Sequence, residues 1–115
     1  MALSEFEIKK IERAVSAFMD RRRPPPRIRS QVDFGYRIMG QSVELFEIRP
    51  RWDKPEETIE HPIAKATYVK SSRVWKVFWK RADMRWHGYG PNRQVRSIED
   101  FLVVVENDEY GCFFG

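Results

Sequence analysis

The stretch DFGYRIM at Asp33–Met39 is followed by Gly40-Gln41 and then by SVEL at Ser42–Leu45. Apolar and polar side chains alternate on both sides of the glycine, which is the period of a strand buried on one face. Glycine supplies the positive φ of a two-residue type II′ turn. This turn predicts three cross-strand pairs: Tyr36 with Leu45, Ile38 with Val43, and Arg37 with Glu44. Apolar side chains pair with apolar side chains, and Arg37 pairs with the oppositely charged Glu44, as cross-strand neighbours prefer. The stretch therefore predicts an antiparallel hairpin.

Further segments of period two extend this hairpin into an antiparallel sheet of about five strands in meander order. The first strand is expected to begin at Ile28, and a change of phase between Leu45 and Phe46 indicates a β-bulge. Residues 50–62 contain three prolines and several acids, which predicts a long connection. The other strands are expected at Ile63–Val69, Arg73–Lys80 and Met84–Tyr89, with turns at Ser71-Ser72 and Ala82-Asp83 and a loop at 91–96.

Two helices are predicted to flank the strands. Residues 4–21 form an amphipathic helix in which Ser4 and Glu7 have capping-box spacing, and Pro24–Pro26 end it. Ser97 opens a short second helix, and the apolar tail Tyr110–Gly115 is expected to pack on the domain or on a partner. The predicted fold is a single α+β domain over residues 1–115, with an N-terminal helix, the sheet and a short C-terminal helix.

Length and composition restrict the classes of protein that the chain can represent. Its 115 residues suit one domain, and no apolar stretch is long enough to cross a membrane. A single cysteine, Cys112, excludes an internal disulfide framework and predicts a cytoplasmic location. The net charge of +4 conceals a basic segment, since residues 61–96 hold nine bases and one acid. Such a segment attracts phosphates or an acidic partner protein, although lysines also simply solvate the outer face of a sheet.

Basic and aromatic side chains interleave between positions 73 and 89, and this run is the leading candidate for a functional surface. Proteins that bind single strands combine aromatic rings that stack on bases with cations that neutralise phosphates. Alternation predicts that the face containing Val77 is core, whereas Lys76, Phe78 and Lys80 point the other way. The predicted nucleic-acid-binding residues are Lys70, Arg73, Lys76, Lys80, Arg81 and Arg85 for phosphates, with Trp86 or Tyr89 as a stacking face.

A protein–protein interaction module is the second hypothesis. The acidic C-terminal segment is followed by the apolar tail with Phe113 and Phe114, and interfaces favour such aromatic anchors. Packing of the tail against its own domain is the simpler interpretation, because a free apolar tail invites aggregation.

A metal-dependent nuclease-like hydrolase is the third hypothesis. Asp33 and Glu47 would hold a divalent ion, and Arg49 would stabilise the pentavalent phosphate. The simpler interpretation is that both carboxylates are ordinary cross-strand partners of nearby arginines. His61, His87 and Cys112 are too few and too scattered for a zinc site. His61 and Lys65 are expected on one side of their strand.

The sequence therefore favours a non-enzymatic module without a cofactor, a catalytic residue or a metal site, which binds nucleic acid or an acidic protein and no membrane. The assembled motifs also resemble a small bacterial family known only as domain of unknown function 3024. The stretches that carry the resemblance are SVELFEIRPRW (42–52), HPIAKATYVK (61–70), WKVFWKRADMRWHGY (75–89) and CFFG (112–115). The resemblance implies a standalone bacterial cytoplasmic protein, and it implies no activity because the family has no assigned function.

Overall fold

The hairpin at 33–45 is the first part of a forked antiparallel sheet. The computed structural model describes residues 3–114. The elements in chain order are α1 (Glu5–Arg22), β1 (Asp33–Met39), β2 (Ser42–Pro50), β3 (Thr58–Val69), β4 (Val74–Lys80), β5 (Trp86–Gly88), β6 (Gln94–Val95) and α2 (Ile98–Asn107). Neighbouring strands follow the order β1-β2-β3-β4-β5, and β6 also pairs with β4. The predicted α+β meander between two helices is confirmed.

The register of the hairpin is the one that alternation predicts. Tyr36 pairs with Leu45, Ile38 with Val43 and Arg37 with Glu44. Gly40 has φ +58° and Gln41 does not have a positive φ, as a type II′ turn requires. The turns at Ser71-Ser72 and Ala82-Asp83 also lie where they are predicted.

The predicted bulge is present, but its extra residue lies in β3. Leu45 pairs with Ala64 and Phe46 pairs with Pro62, so Ile63 has no partner in β2. Proline cannot donate a ladder hydrogen bond and is tolerated at such bulges. The extra residue changes the phase of β3, and this places His61 and Lys65 on opposite sides of the sheet. The prediction that they share a side is therefore wrong.

Two strand boundaries in the first part of the sheet differ from the prediction. Ile28 ends a short 3-10 helix, Pro26–Ile28, and β1 begins only at Asp33. The connection after β2 is shorter than 50–62, since Pro50 already pairs with Thr58. Arg51 closes this connection, because its guanidinium bonds carboxylate oxygens of both Asp53 and Glu57 at 2.8 Å.

The last part of the sheet also differs from the prediction. Arg73 and Met84 adopt positive φ, at +55° and +64°, so β4 starts one residue later than expected and β5 two residues later. The expected loop at 91–96 contains the two-residue strand β6, which pairs Val95 with Trp75 and Gln94 with Lys76.

Both helices pack on one side of the sheet, which we call the covered face. Ser4 and Glu7 form the predicted capping box at the start of α1, and the side chain of Ser97 caps α2. The core contains Ile11, Val15 and Phe18 from α1, Phe101 and Val105 from α2, and Val43, Leu45, Ala64, Ala66 and Val77 from the sheet. Within residues 3–114, neither helix combines the length and the hydropathy needed to cross a membrane.

The C-terminal tail packs on its own domain. Asp108 accepts hydrogen bonds from the backbone N–H groups of Phe113 and Phe114 at 3.0 and 2.9 Å. The Phe113 ring lies 4.8 Å from that of Tyr89, and the Phe114 ring meets Phe34 edge-on at 5.7 Å. The tail therefore packs against its own domain, as the simpler interpretation predicts, and both of its phenylalanines make contacts within the domain.

Candidate nucleic-acid interface

The side of the sheet opposite the helices, which we call the open face, carries aromatic rings among charged side chains. By the observed register it carries Phe46 on β2, Pro62 and Lys65 on β3, Lys76, Phe78 and Lys80 on β4, and Trp86 on β5. The helices leave this side uncovered, because the core cluster draws its sheet residues from the other set of alternating positions. The open face is therefore the surface on which a ligand can meet the sheet.

In one half of the open face, an arginine that pairs with carboxylates lies over the aromatic ring. Phe46 is 6% exposed although it lies outside the core cluster. The guanidinium of Arg37 lies 4.5 Å above its ring and also forms ion pairs with Glu44 and Glu60. Gly35 lies beneath the ring. This half is a second small apolar cluster with little free charge.

The other half, which we call the aromatic–lysine patch, consists of Lys65, Lys76, Phe78, Lys80 and Trp86. The Nζ atom of Lys65 lies 5.0 Å from the ring centroids of both Phe78 and Trp86, and that of Lys80 lies 5.2 Å from Trp86. Among residues 3–114 no carboxylate forms an ion pair with any of these three lysines. The patch therefore combines two partly exposed rings with three unneutralised charges.

The remaining predicted phosphate contacts lie at the two ends of β4. Lys70 and Arg73 are exposed in the turn before β4, and Arg81 and Arg85 are exposed in the turn after it. The seven residues of β4 span about 20 Å at about 3.3 Å per residue. The structure therefore brings Lys76, Lys80 and Trp86 together and places the other four cations as extensions of the patch at its ends.

The prediction that Tyr89 offers a stacking face is wrong, because its ring is buried. It is 2% exposed and packs on Phe113. Burial raises the pKa of its phenol above the usual value. Alternation along β5 already separates the two predicted rings, because Trp86 lies on the side of Lys80 and Tyr89, three positions later, falls on the covered face with Val77.

A break in the edge strand next to β4 opens a groove in the open face. Strands β5 and β6 pair with the same edge of β4, and the five residues Tyr89–Arg93 stand opposite Val77 alone. The N–H of Tyr89 donates to the carbonyl of Val77, and the N–H of Val77 donates to the carbonyl of Arg93, both at 2.9 Å. The groove has a volume of about 470 Å³ and is lined by Lys76, Val77, Phe78, Gly88, Arg93 and Gln94.

Sequence reasoning placed Phe78 on the outward side without counting it as a site residue, and it missed Lys65, Arg93 and Gln94. Lys65 stands between Ala64 and Ala66, which are both buried, so alternation alone could have placed it on the open face. Arg93 and Gln94 carry no such local signal, since their position depends on the pairing of β6 with a distant strand.

Comparison with protein families gives one match over nearly the whole chain. The family model described as Domain of unknown function (DUF3024) matches residues 3–115. The chain belongs to this family. No curated protein and no solved structure matches the chain. For this DUF3024 domain, a function can therefore be inferred only from the arrangement of its side chains.

The carboxylates expected of a nuclease do not converge in this DUF3024 domain. Asp33 pairs with Ile48 and Glu47 pairs with Phe34, so the two acids lie on opposite faces of the sheet. Arg23 binds both oxygens of Asp33, at 2.8 and 2.7 Å, and these bonds lower the pKa of the carboxyl. Glu47 accepts a hydrogen bond from Arg49 at 2.8 Å. Each acid thus pairs with an arginine, but neither arginine is the predicted cross-strand partner, since Arg23 follows α1 and Arg49 lies on the same strand as Glu47. The two acids cannot hold one metal ion between them.

The histidines and the cysteine of the DUF3024 domain also form no shared site. The Nε2 atom of His87 lies 2.8 Å from a carboxylate oxygen of Asp83 in the turn after β4. Burial raises the pKa of the Cys112 thiol, with a smaller contribution from Asp108. Over residues 3–114, no three His, Cys, Asp or Glu side chains are close enough to bind a metal ion together.

Proposed function

We propose that this DUF3024 domain binds single-stranded nucleic acid through its aromatic–lysine patch. The observation that carries the proposal is that Phe78 and Trp86 share the open face with Lys65, Lys76 and Lys80, and that none of these lysines forms an ion pair within residues 3–114. Lysines neutralise phosphates, and aromatic rings on an antiparallel sheet stack on bases in several classes of RNA-binding module.

The chemistry of the patch favours a single strand over a duplex. In a duplex the bases stack on each other and present only their edges, so Phe78 and Trp86 would have no base to stack on. Stacking on one aromatic ring contributes about 1–3 kcal/mol per base in proteins that bind single strands. A duplex would gain only the attraction of its phosphates to the lysines, which is independent of sequence and sensitive to salt.

A titration of the protein into labelled nucleic acid tests the proposal. Three probes of one sequence are compared by fluorescence polarisation: single-stranded DNA, single-stranded RNA and duplex DNA. We expect saturable binding of a single strand, with a slope of log K against log salt of about −2 if three phosphates are neutralised. Intrinsic tryptophan fluorescence should be quenched in parallel, and the part of the quenching due to Trp86 should vanish in Trp86→Phe.

Charge reversal locates the site. The double substitution Lys76→Glu and Lys80→Glu should weaken binding by more than about tenfold, because it reverses two of the three charges in the patch. The matched control is Lys9→Glu with Lys10→Glu, two exposed lysines on α1 that change the net charge by the same amount. Equal loss in the two variants, or no saturable binding of any probe, would reject the proposal.

A further inference from the structure

The groove beside Val77 adjoins the aromatic–lysine patch and shares Lys76 and Phe78 with it. We infer that this groove holds one unstacked nucleotide of the bound strand, with its phosphate at Lys76 and Arg93. The inference rests on the proposed function and adds to it a pocket with a single occupant.

The charges of the groove select an anionic occupant. Lys76 and Arg93 are both exposed at its rim, and no carboxylate lines it. Among the described residues neither cation takes part in an ion pair. Two cations without a counter-charge at the rim of one groove attract a phosphate, and they do so more strongly than either would alone.

The size and the walls of the groove suit one nucleotide. Its volume of about 470 Å³ lies in the range of about 300–1,000 Å³ that is usual for small-molecule sites. Phe78 offers an apolar wall, and the amide of Gln94 offers both a donor and an acceptor to the edge of a base. Gly88 faces the same space without a side chain, so the groove stays open on that side.

This occupancy makes two predictions that the patch alone does not make. A base held in a duplex cannot enter the groove without leaving its stack, so the groove should contribute nothing to duplex binding. A free nucleotide should enter it, so adenosine 5′-monophosphate should compete with the labelled single strand, whereas adenosine should compete much less because it lacks the phosphate.

A leucine at Gly88 tests the inference by filling the groove. A Cβ at Gly88 meets no atom within 4 Å and its φ is not left-handed, so Gly88→Leu should fold. Gly90→Leu is the matched control, because Gly90 is also open and does not line the groove. We expect Gly88→Leu to bind the single strand about tenfold more weakly, because roughly one contact between a base and the Phe78 ring is lost. Gly90→Leu should bind as wild type does.

The outcomes separate the groove from the patch. Normal binding by Gly88→Leu, together with loss of binding by the Lys76 and Lys80 reversal, would overturn the groove and leave the proposed function standing. Failure of the wild-type protein to bind any probe would remove both. Amide chemical shifts of the wild-type protein provide a second test without a variant. Adenosine 5′-monophosphate should shift Val77, Gly88 and Gln94, and shifts confined to other residues would overturn the inference.

Discussion

The ammonium group of Lys65 lies 5.0 Å from the ring centroid of Trp86, although the two residues are 21 positions apart and on strands that do not pair. It lies as close to Phe78, which comes from the strand between them. Glu44 is the cross-strand neighbour of Lys65, yet it forms its ion pair with Arg37. One cation thus covers two rings, and a base that stacks there must displace it.

Lys65→Met should separate the two roles of this lysine. Methionine keeps the apolar stem and loses both cation–π contacts, so we expect the free energy of unfolding to fall by about 1 kcal/mol. The slope of log K against log salt should become shallower by about 0.7 for a single strand, because one phosphate contact is lost. Urea unfolding and polarisation at several salt concentrations measure the two effects. Lys54→Met, in the exposed connection between β2 and β3, should change neither, and an equal effect there would contradict the assignment.

Gly35→Ala should destabilise the fold through contact with Phe46. A Cβ at Gly35 would lie 2.8 Å from Cε2 of Phe46, and that ring is confined by Arg37 above it. We expect a loss of about 1–3 kcal/mol, as overpacking usually costs. The loss should shrink in a Phe46→Leu background, since the shorter side chain leaves room. Gly88→Ala is the control from the same face, where the new Cβ meets open space. An equal cost at Gly88 would point to strand propensity and not to the ring.

Asp33→Asn should cost stability at neutral pH and cost nothing in acid. The Arg23 bonds hold the folded pKa of Asp33 below its ordinary 3.8. A depressed carboxyl pKa stabilises the folded state above the unfolded value, and that contribution is lost as pH falls through the folded pKa. We expect the variant to lose about 1–2 kcal/mol at pH 7, as for a hydrogen bond to a charged group. The difference from wild type should shrink as the pH falls below 3.8 and close below the depressed folded pKa of Asp33.

Denaturant unfolding across this pH range measures the effect. Asp20→Asn is the control. Asp20 is an exposed acid near the same end of α1, and it forms no ion pair among the described residues, so the stability of this variant should not change with pH in the way expected for Asp33→Asn. A constant difference between Asp33→Asn and wild type from pH 7 to pH 3 would show that the charge of Asp33 does not matter.

Phe113→Ala should behave as a core truncation. The ring is 7% exposed and packs on Tyr89, so we expect a loss of about 3 kcal/mol, at the low end for a buried phenylalanine. Phe6→Ala removes the same side chain where it is 79% exposed, and it should change stability by less than about 0.5 kcal/mol. Thermal unfolding of both variants measures the contrast. If Phe113→Ala were as stable as wild type, the tail would not be part of the core, and it would again be a surface that a partner could bind.

Short-range patterns were sufficient for the hairpin and for the start of α1. The turn Gly40-Gln41 and its three pairs lie within the ten residues 36–45, and Ser4 and Glu7 of the capping box are three positions apart. Cross-strand pairing and helix capping depend on such local spacing, so they can be read before the fold is known. Of the predicted site residues, Lys76, Lys80 and Trp86 lie on one surface of the sheet, whereas Tyr89 is buried.

The alternation along each strand can be read from the sequence, and it separates Val77 from Lys76 and Phe78. It predicted the Val77 side of β4 as core, but both sides carry aromatic rings, so it did not show which side the helices cover. That depends on the packing of α1 and α2, which involves contacts between segments far apart in the chain. The same holds for the groove, which exists because Gln94 pairs with Lys76 across a five-residue interruption that no local pattern marks.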